Sequence, residues 1–247
     1  MAEHPFLRNE MLWGATAQAR LAAAHVILFG LGGVGSYAAE CLVRSGIGEL
    51  TIVDSDTVAL TNLNRQLEAL HSTLGQPKAE AVAHRLRDIN PNLKLHPIYG
   101  LYDAAHRDQF FPAGCRYNYA VDAIDLVSCK LDLAETTLRL GIPLIMALGT
   151  GNKLDPSALR LADISETYGC PLARVMRKEL RKRGIEHLRV VFSPEEAVQP
   201  VSQPEAPPPG RRSIPASNPW VPATAGLLLG SAVVRDIIAK EECDSKC

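Results

Sequence analysis

The sequence predicts an α/β fold with a mainly parallel sheet, flanking helices and a C-terminal extension. Short apolar runs alternate with longer stretches in which apolar residues recur every three or four positions. This alternation is typical of βαβ units, in which helices join parallel strands. A glycine-rich turn follows the first apolar run directly, as it does in Rossmann-like nucleotide-binding folds. With 247 residues, the chain is long enough to bury a sizeable core.

The first half of the chain carries the alternating pattern. Residues 14–23 are predicted as a helix, and the apolar run His25–Phe29 follows as the first strand. The glycine turn leads into a helix over residues 36–45 and a second strand over residues 50–53. Pro77 suits the first position of the next helix, where the missing N–H costs no hydrogen bond. Further strands are predicted at residues 93–98, 119–122 and 144–148.

The second half of the chain differs in composition. Residues 171–183 are predicted as a charged helix and residues 188–192 as a strand. The stretch 193–219 is rich in proline and poor in apolar residues, so we expect a flexible loop there. An apolar helix over residues 220–240 closes the chain. We therefore expect a single domain over residues 1–247.

Composition and charge exclude several classes of protein. A net charge of −1 excludes a strongly basic protein that coats nucleic acid, and 47% hydrophobic residues exclude disorder of the whole chain. The N-terminus lacks the basic and apolar regions of a secretory signal. The apolar stretch 221–234 is too short to span a bilayer. We therefore expect a cytoplasmic protein with no membrane partner.

The cysteines give no sign of a metal site or of a nucleophile. None of the six belongs to a Cys-x-x-Cys pair, and such close pairs are the usual signature of structural zinc. We therefore expect no zinc. Cys129 and Cys170 are interpreted as packed thiols.

The turn after the first strand predicts a nucleotide site. Gly30, Gly32 and Gly35 have the Gly-x-Gly-x-x-Gly spacing, with Gly33 inside the turn. Such glycines permit a tight turn and let the amino end of the next helix approach phosphates. Asp54, at the end of the second strand, stands where a carboxylate can accept ribose hydroxyls. This signature alone does not separate ATP from a dinucleotide.

Two basic residues favour ATP. Arg65 lies in the segment TNLNRQ of residues 61–66, and Lys78 follows a Gly-Gln-Pro turn. Hydride transfer has no need of these charges, whereas cleavage between the α and β phosphates builds negative charge that they can stabilise. The segment DAID of residues 122–125 follows a later strand and offers carboxylates for Mg²⁺. The first carboxylate of this segment, Asp122, is equally suited to capping a helix.

These motifs resemble those of the ThiF/MoeB/HesA superfamily, the relatives of ubiquitin-activating enzymes. The resemblance implies adenylation of a carboxylate with ATP and Mg²⁺. The segments that carry it are GLGGVGS of residues 30–36, RSGIG of residues 44–48, DSD of residues 54–56, TNLNRQ of residues 61–66, Lys78 and DAID of residues 122–125.

The same resemblance implies roles for individual residues. Arg8 falls where the family takes an arginine from the partner subunit, which implies a homodimer. Asp125 falls where the family ligates Mg²⁺. The residues implied in holding ATP are Gly33, Asp54, Asn62, Arg65 and Lys78.

The region after residue 148 resembles one group in this superfamily, the tRNA threonylcarbamoyladenosine dehydratases. The resemblance implies ATP-dependent cyclisation of N6-threonylcarbamoyladenosine in tRNA, with loss of water and no thioester cysteine. The sequence leaves open whether a monovalent cation binds near residues 149–155. It also leaves open whether a sulfur-transfer or redox partner exists and which one it is. The segments that carry the resemblance are GTGNKLDP of residues 149–156, Asp163-Ile164, CPLAR of residues 170–174 and Arg177-Lys178.

A basic segment is interpreted as the tRNA surface. Residues 170–189 hold seven lysines and arginines against two glutamates, and phosphate contacts require such a local excess of positive charge. The segment is equally consistent with a solvated helix face.

Two other classes of function stay open. One is an adenylyltransferase that activates the C-terminus of a ubiquitin-like or sulfur-carrier protein. The other is a nucleotide-binding sensor without chemistry, because a fold does not determine a function.

Overall fold

The computed structural model describes residues 3–202 and 215–239. Within those ranges the strands are β1 His25–Phe29, β2 Glu49–Asp54, β3 Lys94–Tyr99, β4 Tyr119–Asp122, β5 Leu144–Ala147, β6 Arg160–Asp163 and β7 Arg189–Phe192. The α-helices are α1 Leu7–Trp13, α2 Ala15–Ala23, α3 Gly35–Arg44, α4 Lys78–Ile89, α5 Arg107–Phe110, α6 Val127–Leu140, α7 Pro171–Arg181 and α8 Trp220–Ala239.

The strands form one sheet in the order β3-β2-β1-β4-β5-β7-β6. Neighbouring strands are parallel, except that β6 runs antiparallel to β7 at the edge. The strand order reverses beside β1, so a crevice opens at the carboxyl ends of β1 and β4, where such folds bind ligands. The predicted mainly parallel α/β sheet is confirmed.

Helices cover both faces of the sheet. Adjacent strand residues point to opposite faces, so the neighbours Leu28 and Phe29 belong to different cores. Leu28 and Val121 pack in the core beneath α3, α4 and α8. Phe29 packs with Leu133 in the core beneath α6 and α7. The sheet is therefore buried on both sides, as a parallel sheet requires.

The structure differs from the sequence prediction at several places, and helices α5 and α6 are among the elements that the prediction did not place. Helix α1 precedes the first predicted helix and is separated from α2 by Gly14, whose φ is +84°. Pro77 precedes α4 instead of occupying its first position, because its backbone is extended, with φ −54° and ψ 131°. Strand β6 has no predicted counterpart, since its four residues are exposed or half-buried and carry no clear apolar pattern.

Helix α8 is a core helix. Two glycines let it approach α3 closely, because a Cβ on Gly226 would lie 2.2 Å from the Val34 carbonyl oxygen and one on Gly230 would lie 2.7 Å from Cys41 Sγ. Its 20 residues and mean hydropathy of 1.5 make it long and apolar enough to cross a membrane, yet 56% of the apolar window is buried inside the protein. The prediction that the apolar stretch is too short to span a bilayer is therefore wrong on length. Packing of α8 against α3 accounts for the apolar composition of the helix.

Candidate active site

The glycine turn joins β1 to α3 at the carboxyl edge of the sheet. Gly30 has φ +87°, and a Cβ there would lie 2.6 Å from the Ala123 carbonyl oxygen. A Cβ on Gly35 would lie 1.7 Å from the Gly30 carbonyl oxygen, and one on Gly32 would lie 3.6 Å from Gln66 Nε2. Gly30 and Gly35 therefore cannot carry side chains. Because these two positions lack side chains, the amino end of α3 reaches the crevice, where an anion can approach it.

Asp54 ties the end of β2 to this turn. Its Oδ2 accepts a hydrogen bond from the Leu31 N–H at 2.6 Å, and its Oδ1 accepts one from the Asp56 N–H at 2.8 Å. Burial raises the pKa of Asp54, and the nearby Lys78 ammonium opposes that rise. The carboxylate therefore supports the turn itself, and its contact with a ribose stays a prediction.

Lys78 begins α4 and points back toward the turn. Its side chain is only 6% exposed, and its Nζ donates a hydrogen bond to Asp56 Oδ2 at 2.9 Å. Its backbone N–H also donates to the Asp56 carbonyl at 2.9 Å. These contacts hold a buried cation beside Asp54, so the structure brings together two residues that are 24 positions apart in the sequence.

The segment after β2 folds against the same turn. A Cβ on Gly33 would lie 3.3 Å from both the Cγ and the carbonyl oxygen of Arg65. The Arg65 guanidinium donates to the Thr61 carbonyl at 2.9 Å, and partial burial lowers its pKa. Asn62 is buried, and its Oδ1 accepts a hydrogen bond from the Ala59 N–H at 3.0 Å. Arg65 and Asn62 therefore both lie in the segment that lines the turn.

The carboxylates after β4 have different environments. Asp122 is fully buried, and its Oδ1 accepts hydrogen bonds from Lys130 Nζ at 3.0 Å and from the Ile124 N–H at 2.9 Å. Burial raises the pKa of Asp122, and Lys130 opposes that rise. Asp122 therefore shapes the turn, and helix α6 begins later without a side-chain cap. Asp125 is exposed on the same turn and is the carboxylate that can face a metal ion.

Arg8 is not brought to this site within its own chain. It is exposed on α1, and the next residue, Asn9, donates a side-chain hydrogen bond to the Arg44 carbonyl at 2.7 Å. Helix α3 begins at the glycine turn and ends at Arg44, and ten residues of α-helix span about 15 Å. Arg8 thus lies at the opposite end of α3 from the turn, so its predicted role requires a second copy of the chain.

Glu68 is a buried residue of this region that sequence reasoning does not single out. It is 3% exposed, and its carboxyl oxygens make no hydrogen bond of good geometry within the described residues, although the Ser36 hydroxyl lies nearby. Burial raises the pKa of Glu68 to about 7, with a further contribution from the Asp54 charge and an opposing one from Lys78. No sequence signal marks it, because a glutamate in a polar segment is usually exposed.

We expect Glu68→Gln to stabilise the fold, and only at higher pH. Between pH 4.5 and about 7 the native carboxyl keeps a proton that the unfolded chain releases, so native stability falls as pH rises through this window. Glutamine removes this dependence, and the gain above pH 7 is on the order of 3 kcal/mol. Urea unfolding at pH 5 and pH 8 measures the change. The exposed α4 residue Glu80, replaced by Gln, is the matched control, and an equal effect of Glu68→Gln at both pH values would contradict the expectation.

The basic surface of α7 is smaller than the sequence count suggests. Arg177 is half-buried and donates to Thr167 Oγ1 at 2.7 Å. Lys182 and Arg183 follow α7 and are exposed, but they form ion pairs with Glu179 at 2.7 and 3.1 Å. The other basic side chains of α7 are exposed, and they are Arg174, Lys178 and Arg181.

The loop after β5 anchors both described flanks of the proline-rich stretch. Asn152, with φ +58°, donates its N–H to the Ala216 carbonyl at 2.8 Å and accepts the Ala216 N–H on Oδ1 at 2.7 Å. The Glu195 carboxylate accepts the N–H groups of Leu154 and Asp155 at 2.8 and 3.1 Å. The flanks 193–202 and 215–219 contain neither helix nor strand, and residues 203–214 of the predicted loop lie outside the described residues.

The fold and the site define an α/β nucleotide-binding protein of the adenylating class, with a glycine turn, basic residues and a carboxylate at one sheet edge. A sequence model of the ThiF family matches residues 6–237. The chain belongs to the ThiF family.

Comparison with characterised relatives refines this assignment. The chain is 41% identical over 243 residues to the tRNA threonylcarbamoyladenosine dehydratase of Bacillus subtilis, which covers 95% of each chain. It superposes with a TM-score of 0.86 on the crystal structure of Escherichia coli tRNA N6-threonylcarbamoyladenosine dehydratase in complex with ATP, at 33% identity over 98% of this chain and 96% of that one. The molybdopterin-synthase adenylyltransferase of E. coli is 34% identical over about half of each chain. The resemblance to the dehydratases is confirmed.

Proposed function

We propose that the chain is an ATP-dependent tRNA threonylcarbamoyladenosine dehydratase, which cyclises N6-threonylcarbamoyladenosine in tRNA. The observation that carries this proposal is the convergence of the glycine turn, Lys78, Arg65 and Asp125 at the carboxyl edge of β1, β2 and β4. Adenylation needs a phosphate-binding turn together with charges that stabilise the leaving pyrophosphate. The identity of 41% over 95% of the chain to a dehydratase supports the same substrate.

The first step joins the substrate carboxylate to AMP. A carboxylate oxygen attacks the α-phosphorus of ATP, the bond to the bridging oxygen of the β-phosphate breaks, and pyrophosphate leaves. Lys78 and Arg65 stabilise the negative charge that builds on the bridging and leaving oxygens. Asp54 and Asn62 orient the ribose, since a carboxylate oxygen that accepts one N–H keeps a further lone pair for a hydroxyl.

The donor set fits Mg²⁺ at one position. Asp125 is an exposed carboxylate on the turn whose first residue, Ala123, packs against Gly30. Asp122 is closed off by Lys130. Asp125 would hold the ion together with phosphate oxygens and water, the oxygen ligands that Mg²⁺ prefers. When bound, the ion neutralises phosphate charge and so favours departure of pyrophosphate.

The second step closes the ring. The carbamoyl portion of the threonylcarbamoyl group attacks the acyl carbon of the adenylate within the same modified nucleoside, the carbamoyl portion gives up one proton to solvent, and the bond to AMP breaks. One carboxylate oxygen departs on AMP, so the substrate loses the elements of water while ATP becomes AMP and pyrophosphate. No enzyme nucleophile is required, in agreement with the burial of Cys129 and Cys170.

ATP–pyrophosphate exchange tests the proposed activity. Exchange is measured with tRNA that carries N6-threonylcarbamoyladenosine, with unmodified tRNA, with a carrier protein that ends in Gly-Gly, and with no acceptor. We expect exchange with the modified tRNA alone, together with release of AMP. Exchange with the carrier protein alone would assign the chain to the adenylyltransferases instead, and the absence of exchange in all four reactions would leave a nucleotide-binding sensor.

The exposed residues of α7 are proposed to bind tRNA phosphates. Each such interaction releases condensed counterions, so removing one basic side chain makes the slope of log affinity against log salt shallower by about 0.7 to 0.9. We expect the triple variant Arg174→Glu, Lys178→Glu and Arg181→Glu to weaken tRNA binding and flatten this slope, with ATP affinity unchanged. A filter-binding salt titration measures the tRNA affinity and its salt slope for the wild type and the triple variant.

The control for this titration is Arg87→Glu, an exposed charge on α4 at the opposite face of the sheet. Arg177 is left intact because it contacts Thr167 and its loss would disturb the fold. Identical slopes for the wild type and the triple variant would show that α7 is a solvated face.

A homodimer completes the proposed site. Arg8 lies too far from the glycine turn of its own chain, and a twofold dimer delivers the same residue symmetrically to each partner. Such an arginine adds positive charge beside the phosphates, where the planar guanidinium can contact two oxygens at once. Because its substrate is tRNA, we expect the enzyme to act in the cytoplasm.

A further inference from the structure

Two histidines and a glutamate lie together at the edge of the sheet opposite the nucleotide site. His25 and Glu49 are the first residues of β1 and β2, and His96 is the third residue of β3. In the parallel register His25 stands beside Glu49, and Thr51 stands beside His96. Because residues two apart on a strand share a face, these side chains project from the same face of three adjacent strands.

The ligand atoms of this cluster have the separations of a metal site. Glu49 Oε1 lies 2.9 Å from His96 Nε2 and 3.6 Å from His25 Nδ1. All three ligand atoms lie within 4.8 Å of one another. A tetrahedral Zn²⁺ with bonds of about 2.0 to 2.1 Å places its ligand atoms about 3.3 Å apart. The cluster can therefore enclose one ion after small side-chain movements.

Neighbouring groups hold the His25 ring in the orientation that a metal requires. Its Nε2 lies 2.9 Å from Thr51 Oγ1, and when Nε2 carries the hydrogen it donates to this hydroxyl and leaves the Nδ1 lone pair facing Glu49. The Tyr117 ring packs edge-on against it, with centroids 4.7 Å apart. Such outer hydrogen bonds orient metal-bound histidines and set their tautomer.

We propose that His25, Glu49 and His96 form a Zn²⁺ site, with water in the fourth position. Two imidazoles and one carboxylate are a donor set that zinc accepts, whereas Mg²⁺ prefers oxygen ligands alone. The ion links the amino ends of β1, β2 and β3 and is independent of the nucleotide, which binds at their carboxyl ends. The exposed Lys94 ammonium, which lies near Glu49, opposes cation binding and keeps the affinity moderate.

Titration of the full chain with Zn²⁺ in excess Mg²⁺ tests this site, by calorimetry and by the absorption of Co²⁺ as a probe. We expect one ion per chain and a thermal midpoint that rises with Zn²⁺, because an ion that binds only the native state stabilises it. His96→Ala and Glu49→Gln are expected to weaken binding at least 100-fold. Thr51→Val removes only the outer hydrogen bond and is expected to weaken binding about 10-fold.

The exposed α4 residue His84, replaced by alanine, is the matched control and should bind Zn²⁺ as the wild type does. His96 is half-exposed, so its replacement leaves the fold intact, which circular dichroism verifies. Equal Zn²⁺ affinity in the wild type and in His96→Ala, or no stoichiometric binding by the wild type, would overturn the proposal. ATP–pyrophosphate exchange is expected to be unchanged in His96→Ala.

Discussion

Replacing Lys78 with alanine is expected to lower the rate of adenylation by about 10²- to 10³-fold, the usual effect of losing one preorganised charge at a transition state. ATP affinity is expected to change far less. The charge that Lys78 stabilises grows as the α–β phosphate bond breaks, so its loss appears in kcat more than in KM. The buried position of the Nζ, 2.9 Å from Asp56, means that the cation is in place before ATP binds.

Single-turnover adenylation and equilibrium ATP binding separate these two effects. Arg87→Ala, an exposed residue of the same helix α4, is the matched control and is expected to leave both unchanged. Because Lys78 is buried, urea unfolding verifies that the variant is folded under the assay conditions. A rate within a factor of two of the wild type would remove Lys78 from the chemistry.

Mixing two inactive variants is expected to restore activity if Arg8 acts on the partner subunit. Arg8→Ala and Asp125→Ala homodimers each lack a residue at both sites. In a heterodimer, the site with an intact Asp125 receives an intact Arg8 from the other subunit and works. The other site of the heterodimer lacks both residues and stays inactive. Random exchange makes half of the dimers heterodimers, which predicts recovery of about a quarter of wild-type activity.

The structural reason for this expectation is the position of α1. Asn9 attaches that helix to the carboxyl end of α3, whereas the glycine turn lies at the amino end of α3. Subunit exchange is followed with differently tagged chains, and Arg8→Lys shows whether a point charge can replace the guanidinium. Exchange without recovery of activity would show that Arg8 does not act across a dimer.

Elements governed by local pattern could be predicted from the sequence. Strand His25–Phe29 has the predicted bounds, and the glycine turn follows it directly. Gly35 could be recognised because its constraint is local, since a Cβ there would meet the Gly30 carbonyl oxygen. A Cβ on Gly30 would instead meet Ala123, a residue remote in sequence, so only its place in the Gly-x-Gly-x-x-Gly spacing marks it. Hydrophobic periodicity likewise located α4, although the extended backbone of Pro77 moved its start to Lys78.

Charges were harder to interpret than apolar residues. Seven basic residues in segment 170–189 suggested one broad surface, but Arg177 turns inward to Thr167 and two others pair with Glu179. A long cationic side chain can reach solvent, a carboxylate or a carbonyl from the same helix position. Its sequence position therefore does not reveal which of these partners it has.

By itself, the sequence determined the α/β class, the nucleotide turn and the family, because each depends on residues that are close together in the chain. The tertiary structure alone decided that Glu68 is buried, and that Arg8 lies away from its own site. It alone brought His25, Glu49 and His96 together from three strands. The physical reason is that burial and contact distance arise from packing between elements remote in sequence, and both the pKa of a carboxyl and the separation of metal ligands depend on that packing.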